Sequence, residues 1–198
     1  MNPSITSPRI VVLASGTGSL FRSLLDSPVG ELIVALISDV PECGAVSIAQ
    51  DAGVPTVVVP LSGYSTRSEW DEVLLERVVA FKPDLLVSAG FMRILSEDFV
   101  GSFPNQIVNS HPALLPLFPG AHAVRDALAA GATETGCTIH FVDAGVDTGP
   151  VVAQKSLDVH PGESEEHLHE RIKVLERELL PHTIINVLHE RGLLSDLP

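Results

Sequence analysis

Arg9-Ile10-Val11-Val12-Leu13-Ala14-Ser15-Gly16-Thr17-Gly18-Ser19 opens the ordered pattern of this chain. Ile10 to Ala14 are apolar without a break, so a strand made from them has no polar face and must be covered on both sides. Two glycines flanked by hydroxyls then turn the chain, and Leu20 to Leu25 carry helical spacing. Working outward, the same unit recurs. Leu32 to Ser38 precede a helical stretch at Ala45 to Ala52, Thr56 to Val59 precede one at Ser68 to Phe81, and Asp84 to Ser88 and Gln106 to Asn109 read as two further strands.

Strands alternating with helices predict an α/β fold. The expected architecture is a Rossmann-like open, mainly parallel twisted sheet with helices on both faces. Past residue 130 the pattern changes. Thr133 to Val142 and Val151 to Leu157 are strand-like and joined by a Gly-rich loop, which predicts an antiparallel C-terminal strand addition. A long helix is expected from about Ser164, with Leu168, Ile172, Leu175 and Leu179 as its buried stripe. Pro181 is expected to kink it or start a second segment ending near Gly192. With no repeat or linker in view, residues 1–198 read as a single domain.

A length of 198 residues with 45% apolar content is enough for a real core. The formal net charge of −13 repels polyanions, and no basic stripe offsets it, so nucleic acid is not an expected partner. Cys43 and Cys137 are too few for a disulfide framework or a metal site, which points to a reducing, cytoplasmic setting. Met1 to Pro8 are short and polar, and no apolar run approaches the ~20 residues of a membrane span. Neither a membrane nor export is expected. Small-molecule substrates are the expected partners of a monomer or homodimer.

The chemistry concentrates in Ile107-Val108-Asn109-Ser110-His111-Pro112-Ala113-Leu114-Leu115-Pro116. Side chains two apart on a strand share a face, so Asn109 and His111 point the same way from a strand's carboxyl end. Asp143-Ala144-Gly145-Val146-Asp147-Thr148-Gly149-Pro150 follows and can supply a carboxylate from either Asp143 or Asp147. An amide that holds a negative oxygen, an imidazole that carries a proton and an acid that tunes it suit acyl-group chemistry. The plainer alternative is a capped turn before Pro112 and an acidic turn between two strands.

Other motifs divide similarly. The loop from Ser15 to Ser19 either cradles a phosphate on free N–H groups or is a tight turn capped by Ser19. Its Gly16 and Gly18 lack the third glycine of a dinucleotide fingerprint, since Phe21 stands there, which argues against nicotinamide; Asp39 nonetheless sits where a ribose-binding acid could be. His167 and His169 are two apart on a helix and face apart, so no metal is expected. His140 faces either the site or the core. Lys173 and Glu176 read as a solvated helical pair, and Arg67 as a surface cation.

Phe91-Met92-Arg93-Ile94-Leu95, the run from Asn109 to Pro116 with Pro119-Gly120, and Asp143-x-x-x-Asp147-x-Gly149-Pro150 together resemble the folate-dependent formyltransferases, over nearly the whole chain. The resemblance implies transfer of a formyl group from 10-formyltetrahydrofolate, a cosubstrate, to the amine of glycinamide ribonucleotide in purine biosynthesis. By the same resemblance Asn109 and His111 stabilise the oxyanion, and Asp147 keeps His111 protonated. Gly16, Thr17, Gly18, Ser19 and Leu20 hold the ribonucleotide phosphate, with Lys173 and Glu176 reaching that substrate. Arg67, Met92, Arg93, Ile94, Leu95 and Asn109 contact the folate, and backbone groups of residues 142–147 line the pterin pocket. The phosphate-binding half falls at about 1–100 and the folate and catalytic half at about 101–198. A cis Leu115-Pro116 bond is also implied. The chain departs from many relatives in carrying Thr17 and Leu20 where they carry asparagines.

Rival readings remain within reach of the same residues. Formyltransferases acting on aminoacyl-tRNA or nucleotide sugars usually add a C-terminal domain, and a 10-formyltetrahydrofolate hydrolase usually adds an N-terminal one; neither is expected here. A non-catalytic nucleotide-binding module would keep the glycine loop but have no use for His111 and Asp147.

Overall fold

The computed structural model describes residues 7–194, so the polar start read at Met1 to Pro8 lies outside the described residues through position 6. Five parallel strands form the body of one sheet: β1 (Ile10–Leu13), β2 (Ile33–Ser38), β3 (Thr56–Val58), β4 (Leu85–Ser88) and β5 (Ile107–His111). β6 (Glu134–Phe141) pairs antiparallel with β5, and β7 (Val151–Asp158) antiparallel with β6, giving the order β3-β2-β1-β4-β5-β6-β7. The expected mainly parallel sheet with an antiparallel addition is what the chain forms.

The unbroken apolar run in β1 has a direct structural reason. Ile10 and Val12 enter one core with Phe21, Leu24, Leu36, Val108, Leu180 and Ile184. Val11 and Leu13 enter the other with Ile37, Trp70, Leu74, Leu86 and Phe99. Alternate residues serve opposite faces, so both alternations must be apolar. The first face is covered by α1 (Ser19–Leu25), α2 (Gly44–Asp51) and α6 (Glu165–Glu190), the second by α3 (Arg67–Val79) and α4 (Glu97–Ser102). α5 (Ala123–Ala129) packs with β6 and α6 in a smaller cluster around Cys137. Emptying a fully buried aromatic position such as Phe21 by truncation to alanine would cost about 3–5 kcal/mol.

One helical expectation is narrowed and one is corrected. Pro181 does not divide α6, which runs unbroken to Glu190; beside the proline, His182 Nδ1 donates to the Glu178 carbonyl (2.7 Å) and Thr183 Oγ1 to that of Leu179 (2.8 Å). Pro181 lacks the N–H that would reach the Arg177 carbonyl, and these two side chains bond the carbonyls that follow it. The buried stripe also runs differently: Leu168 and Ile172 are followed by Glu176, Leu180 and Ile184, while Leu175 and Leu179 are only partly buried. The deepest row thus passes through a carboxylate, which no apolar count could anticipate.

Because β2 and β3 lie on one side of β1 and β4 and β5 on the other, the strand order reverses between β1 and β4. Ligand crevices of open α/β sheets form at the carboxyl ends beside such a point. Three loops meet there: residues 15–19 after β1, 89–96 after β4, and 112–122 after β5.

Candidate active site

Asn109 stands directly opposite His140 across the β5–β6 ladder, so the two side chains share a face. Their approach is 3.2 Å between Asn109 Nδ2 and His140 Nε2. His111, two residues along β5, shares that face, and Asp147 from the β6–β7 connection closes the group. Its Oδ2 lies 3.3 Å from His111 Nδ1 and its Oδ1 3.5 Å from His140 Nε2. The three residues expected to do chemistry are brought together. His140, left open between site and core, is buried among them.

Asp147 rather than Asp143 is the partner. Asp143 Oδ1 accepts from the Gly145 N–H (3.0 Å) and Thr148 Oγ1 (2.7 Å), which builds the turn. Asp147 instead accepts the Gly120 N–H at 2.7 Å, tying the loop after β5 to the hairpin. Its φ of +54° is in the left-handed region, as is that of Phe118 at +54°. An aspartate tolerates this conformation, whereas a phenylalanine there is strained by about 1–3 kcal/mol. Both residues grip His111: Phe118 by accepting the ring's Nε2–H through its carbonyl (2.8 Å), Asp147 by facing Nδ1.

Burial lowers the pKa of His111 below its ordinary 6.5, although the Phe118 carbonyl and the Asp147 charge both pull it up. Desolvation here outweighs the carboxylate, so the Asp147 charge works against burial at this ring. A neutral imidazole has one N–H and is flanked here by two acceptors. Only a second proton lets it satisfy both. Asp147 is held down at about 2, first by its hydrogen bond with His140 and against the opposing effect of burial, with the Gly120 N–H and His111 assisting.

His140 Nε2 meets two partners with opposite demands. With Nδ1–H donated to the Phe141 carbonyl (3.0 Å), Nε2 stands between the Asn109 amide and Asp147 Oδ1.

At the end of β1, Gly16 and Thr17 are exposed while Gly18 is buried, with φ +78°. Gly18 itself forms the N-cap of α1, so Ser19 is a helical residue and not the cap of a tight turn. A Cβ on Gly18 would stand 2.6 Å from Ala45 Cα, whereas nothing lies within 4 Å of one on Gly16. Leu20 is buried in the core and offers the crevice only its backbone.

The other expected contacts separate into two groups. Thr66 caps α3 in a capping box with Glu69, which fixes Arg67 as its first residue. Arg67 is more than a surface cation: it lies over the Trp70 ring at 4.7 Å, bonds Asp71 (2.9 Å) and donates to the Ile94 carbonyl. Met92, Arg93 and Ile94 are exposed beside it and Leu95 half-buried. Lys173 and Glu176, by contrast, are not a solvated pair. Lys173 pairs with Glu170 (2.7 Å), and Glu176, 4% exposed, accepts from Ser110 Oγ (2.6 Å) on the opposite face of β5 from Asn109 and His111. Burial raises its pKa. Asp39 does not offer a free acid to a ribose either, since both its oxygens are engaged by Ser15 (2.5 Å) and Arg93 (2.6 Å).

Sequence reasoning missed Phe118 and Ser110. Only the alternation on β5 pointed to Ser110, and nothing local pointed to Phe118. The Leu115-Pro116 bond is cis. Among the described residues no cluster of three His, Cys, Asp or Glu could hold a metal, and His167 instead meets Glu163 at 2.7 Å. Nor is any described helix long and apolar enough to cross a membrane.

The formyl transferase family model matches residues 8–184. Phosphoribosylglycinamide formyltransferase of Mycobacterium tuberculosis is 53% identical over 181 residues, covering 90% of this chain and 84% of that protein. The Escherichia coli protein of the same name is 35% identical over 179 residues, with 88% and 84% covered. Among solved structures, glycinamide ribonucleotide transformylase 1 of Symbiobacterium toebii superposes with a TM-score of 0.89 at 36% identity, over 98% of this chain and 92% of that one. A match spanning most of the chain, together with an amide, two imidazoles and a carboxylate gathered at the end of β5, places the protein without ambiguity: it belongs to the formyl transferase family.

Proposed function

We propose that the chain transfers the formyl group of 10-formyltetrahydrofolate to the amine of glycinamide ribonucleotide, as a step of purine biosynthesis. The cluster of Asn109, His111, His140 and Asp147 within 3.2–3.5 Å contacts carries this reading, because a binding module has no use for it. The relatives' names carry the acceptor and the formyl transfer, and the folate as donor is part of the proposal.

The amine nitrogen attacks the formyl carbon, and the carbonyl π pair moves to oxygen. The negative oxygen is taken by the Asn109 N–H and a His111 N–H, released from their resting partners. The ammonium then loses a proton to the imidazole and carboxylate group. Cleavage of the bond to the folate nitrogen restores the carbonyl, and the proton goes to that departing nitrogen. A proton taken up by His111 as the charge develops gives it a cation's hold on the oxygen, which binds the transition state better than the ground state.

The folate fits the exposed Met92 and Ile94 beside Arg67 and Arg93, and the backbone of residues 142–147 would line its pterin end. The ribonucleotide phosphate would rest on the amides of residues 16–20, with Lys173 and Glu176 toward the rest of that substrate. In this division the first half of the chain holds phosphate and the second carries the chemistry, and no metal or nicotinamide takes part. Absorbance of 10-formyltetrahydrofolate, followed with and without glycinamide ribonucleotide, tests the proposal. Deformylation that requires the amine supports it, whereas amine-independent deformylation indicates the hydrolase and none at all indicates a binding module.

A further inference from the structure

The segment from Gly90 to Leu95 has no regular secondary structure, yet five tethers hold it. On one side Phe91 stacks on Trp70, with centroids 6.4 Å apart and planes 10° apart, and Arg67 donates to the Ile94 carbonyl. On the other side the anchor is Asp39, whose side chain is 1% exposed at the end of β2. Its Oδ2 accepts from Arg93 Nε at 2.6 Å, and its Oδ1 accepts from Ser15 Oγ at 2.5 Å. With its proton given to Asp39, that hydroxyl can in turn accept the Met92 backbone N–H, at 2.9 Å. The Ser15 N–H also donates to the Gly90 carbonyl at 3.1 Å.

What the tethers hold out is apolar. Met92 is 73% and Ile94 72% exposed, the most exposed large apolar side chains among the described residues. A free loop would turn them toward the adjacent core, where Phe91 and Leu95 already pack. Burying an aspartate is costly unless each lone pair is used, and here a charge-assisted bond and a short hydroxyl bond both serve that purpose. A buried acid that spends both oxygens on one loop acts on the shape of that loop. Holding a binding surface in its bound shape raises affinity by removing the ordering cost.

We propose that Asp39 is a positioning residue for the folate: through Ser15 and Arg93 it holds the Gly90 to Leu95 loop in the form that presents Met92 and Ile94. The inference rests on the proposed function, in which the folate meets this loop. Asp39 itself touches neither substrate.

Steady-state kinetics of the full chain test it. Asp39→Asn keeps the shape but sets an amide against Arg93, and should raise KM for 10-formyltetrahydrofolate about 10-fold with KM for glycinamide ribonucleotide within about 2-fold. Ser15→Ala removes only the hydroxyl bridge and should raise the folate KM by a smaller factor, again selectively. A role confined to stability would lower kcat through loss of folded enzyme and leave both KM values alone. Thermal melting accompanies each variant, and Ser15→Ala decides the matter if Asp39→Asn does not fold. Folate KM unchanged in folded variants, or a rise confined to the ribonucleotide, overturns the proposal. Absence of amine-dependent deformylation in the unmodified chain instead removes the functional reading beneath it.

Discussion

His111 and Asp147 meet at 3.3 Å, Nδ1 to Oδ2, although one ends β5 and the other sits in the β6–β7 connection. The second oxygen of the same carboxylate faces His140, and Gly120 N–H bonds the first. Replacing the acid by its amide keeps the volume but removes the charge that would stabilise an imidazolium. Asp147→Asn should therefore lower kcat by about 10²–10⁴-fold, the usual range for lost acid–base function. Asp143→Asn, which touches only the turn, should cost far less. Single-turnover rates for both variants check the ranking, and the reverse order would reassign the carboxylate.

Titration of the His111 ring separates burial from charge. Its midpoint should lie below 6.5, and NMR of the ring carbons against pH reads it directly. Removing the Asp147 charge takes away a raising influence, so Asp147→Asn should move the midpoint lower still. The linked stability follows in sign. The unfolded ring binds a proton that the folded ring refuses, so stability contributed here falls as pH drops below 6.5 and levels off beneath the folded midpoint. Asp147 acts in a lower window: its folded value of about 2 stabilises the fold fully above 3.8, and that contribution is lost as pH falls toward 2.

The sheet and the pairing of Asn109 with His111 were legible because both depend on local pattern: unbroken apolar runs for buried strands, and a period of two at the end of β5. Contacts between distant side chains were not. Nothing near Phe118 shows that its carbonyl will reach a ring seven residues away through a strained backbone. Glu176 occupies a helical position whose spacing to Lys173 suggests a surface pair, and only the packing of α6 on β5 buries it against Ser110. Asp39 was placed correctly at a strand end, but the side chains that fill its oxygens come from residues 15 and 93.

The two glycines after β1 make different demands. Gly16→Ala meets open space at an ordinary φ, so its melting temperature should stay close to that of the unmodified chain. If the ribonucleotide phosphate lies on this loop, KM for glycinamide ribonucleotide should still rise, because the new methyl stands where the ligand would. Gly18→Ala meets the Ala45 backbone at 2.6 Å and a φ of +78°, and should lose about 1–3 kcal/mol of stability. A folate-only defect in Gly16→Ala would place the phosphate elsewhere.

Glu176 offers a test in which stability and function move apart. Burial raises its pKa above 4.5, against the Ser110 hydroxyl and the nearby Lys173 and Arg177 charges, which lower it. A carboxyl raised in this way favours the fold most below pH 4.5, and that contribution is lost as pH climbs through the folded value. Wherever the group ionises on that climb, the fold holds a buried carboxylate at a cost. Glu176→Gln keeps an oxygen for Ser110 Oγ and removes the ionisable group, so it should melt no lower than the unmodified chain at pH 7 and lose any advantage at pH 4. If Glu176 meets the ribonucleotide as proposed, the same variant should raise KM for glycinamide ribonucleotide about 10-fold, as expected for one lost hydrogen bond to a carboxylate. Melting curves at both pH values and the two KM values decide the matter. A destabilised Gln variant with unchanged KM would make Glu176 a packing residue of α6 and nothing more.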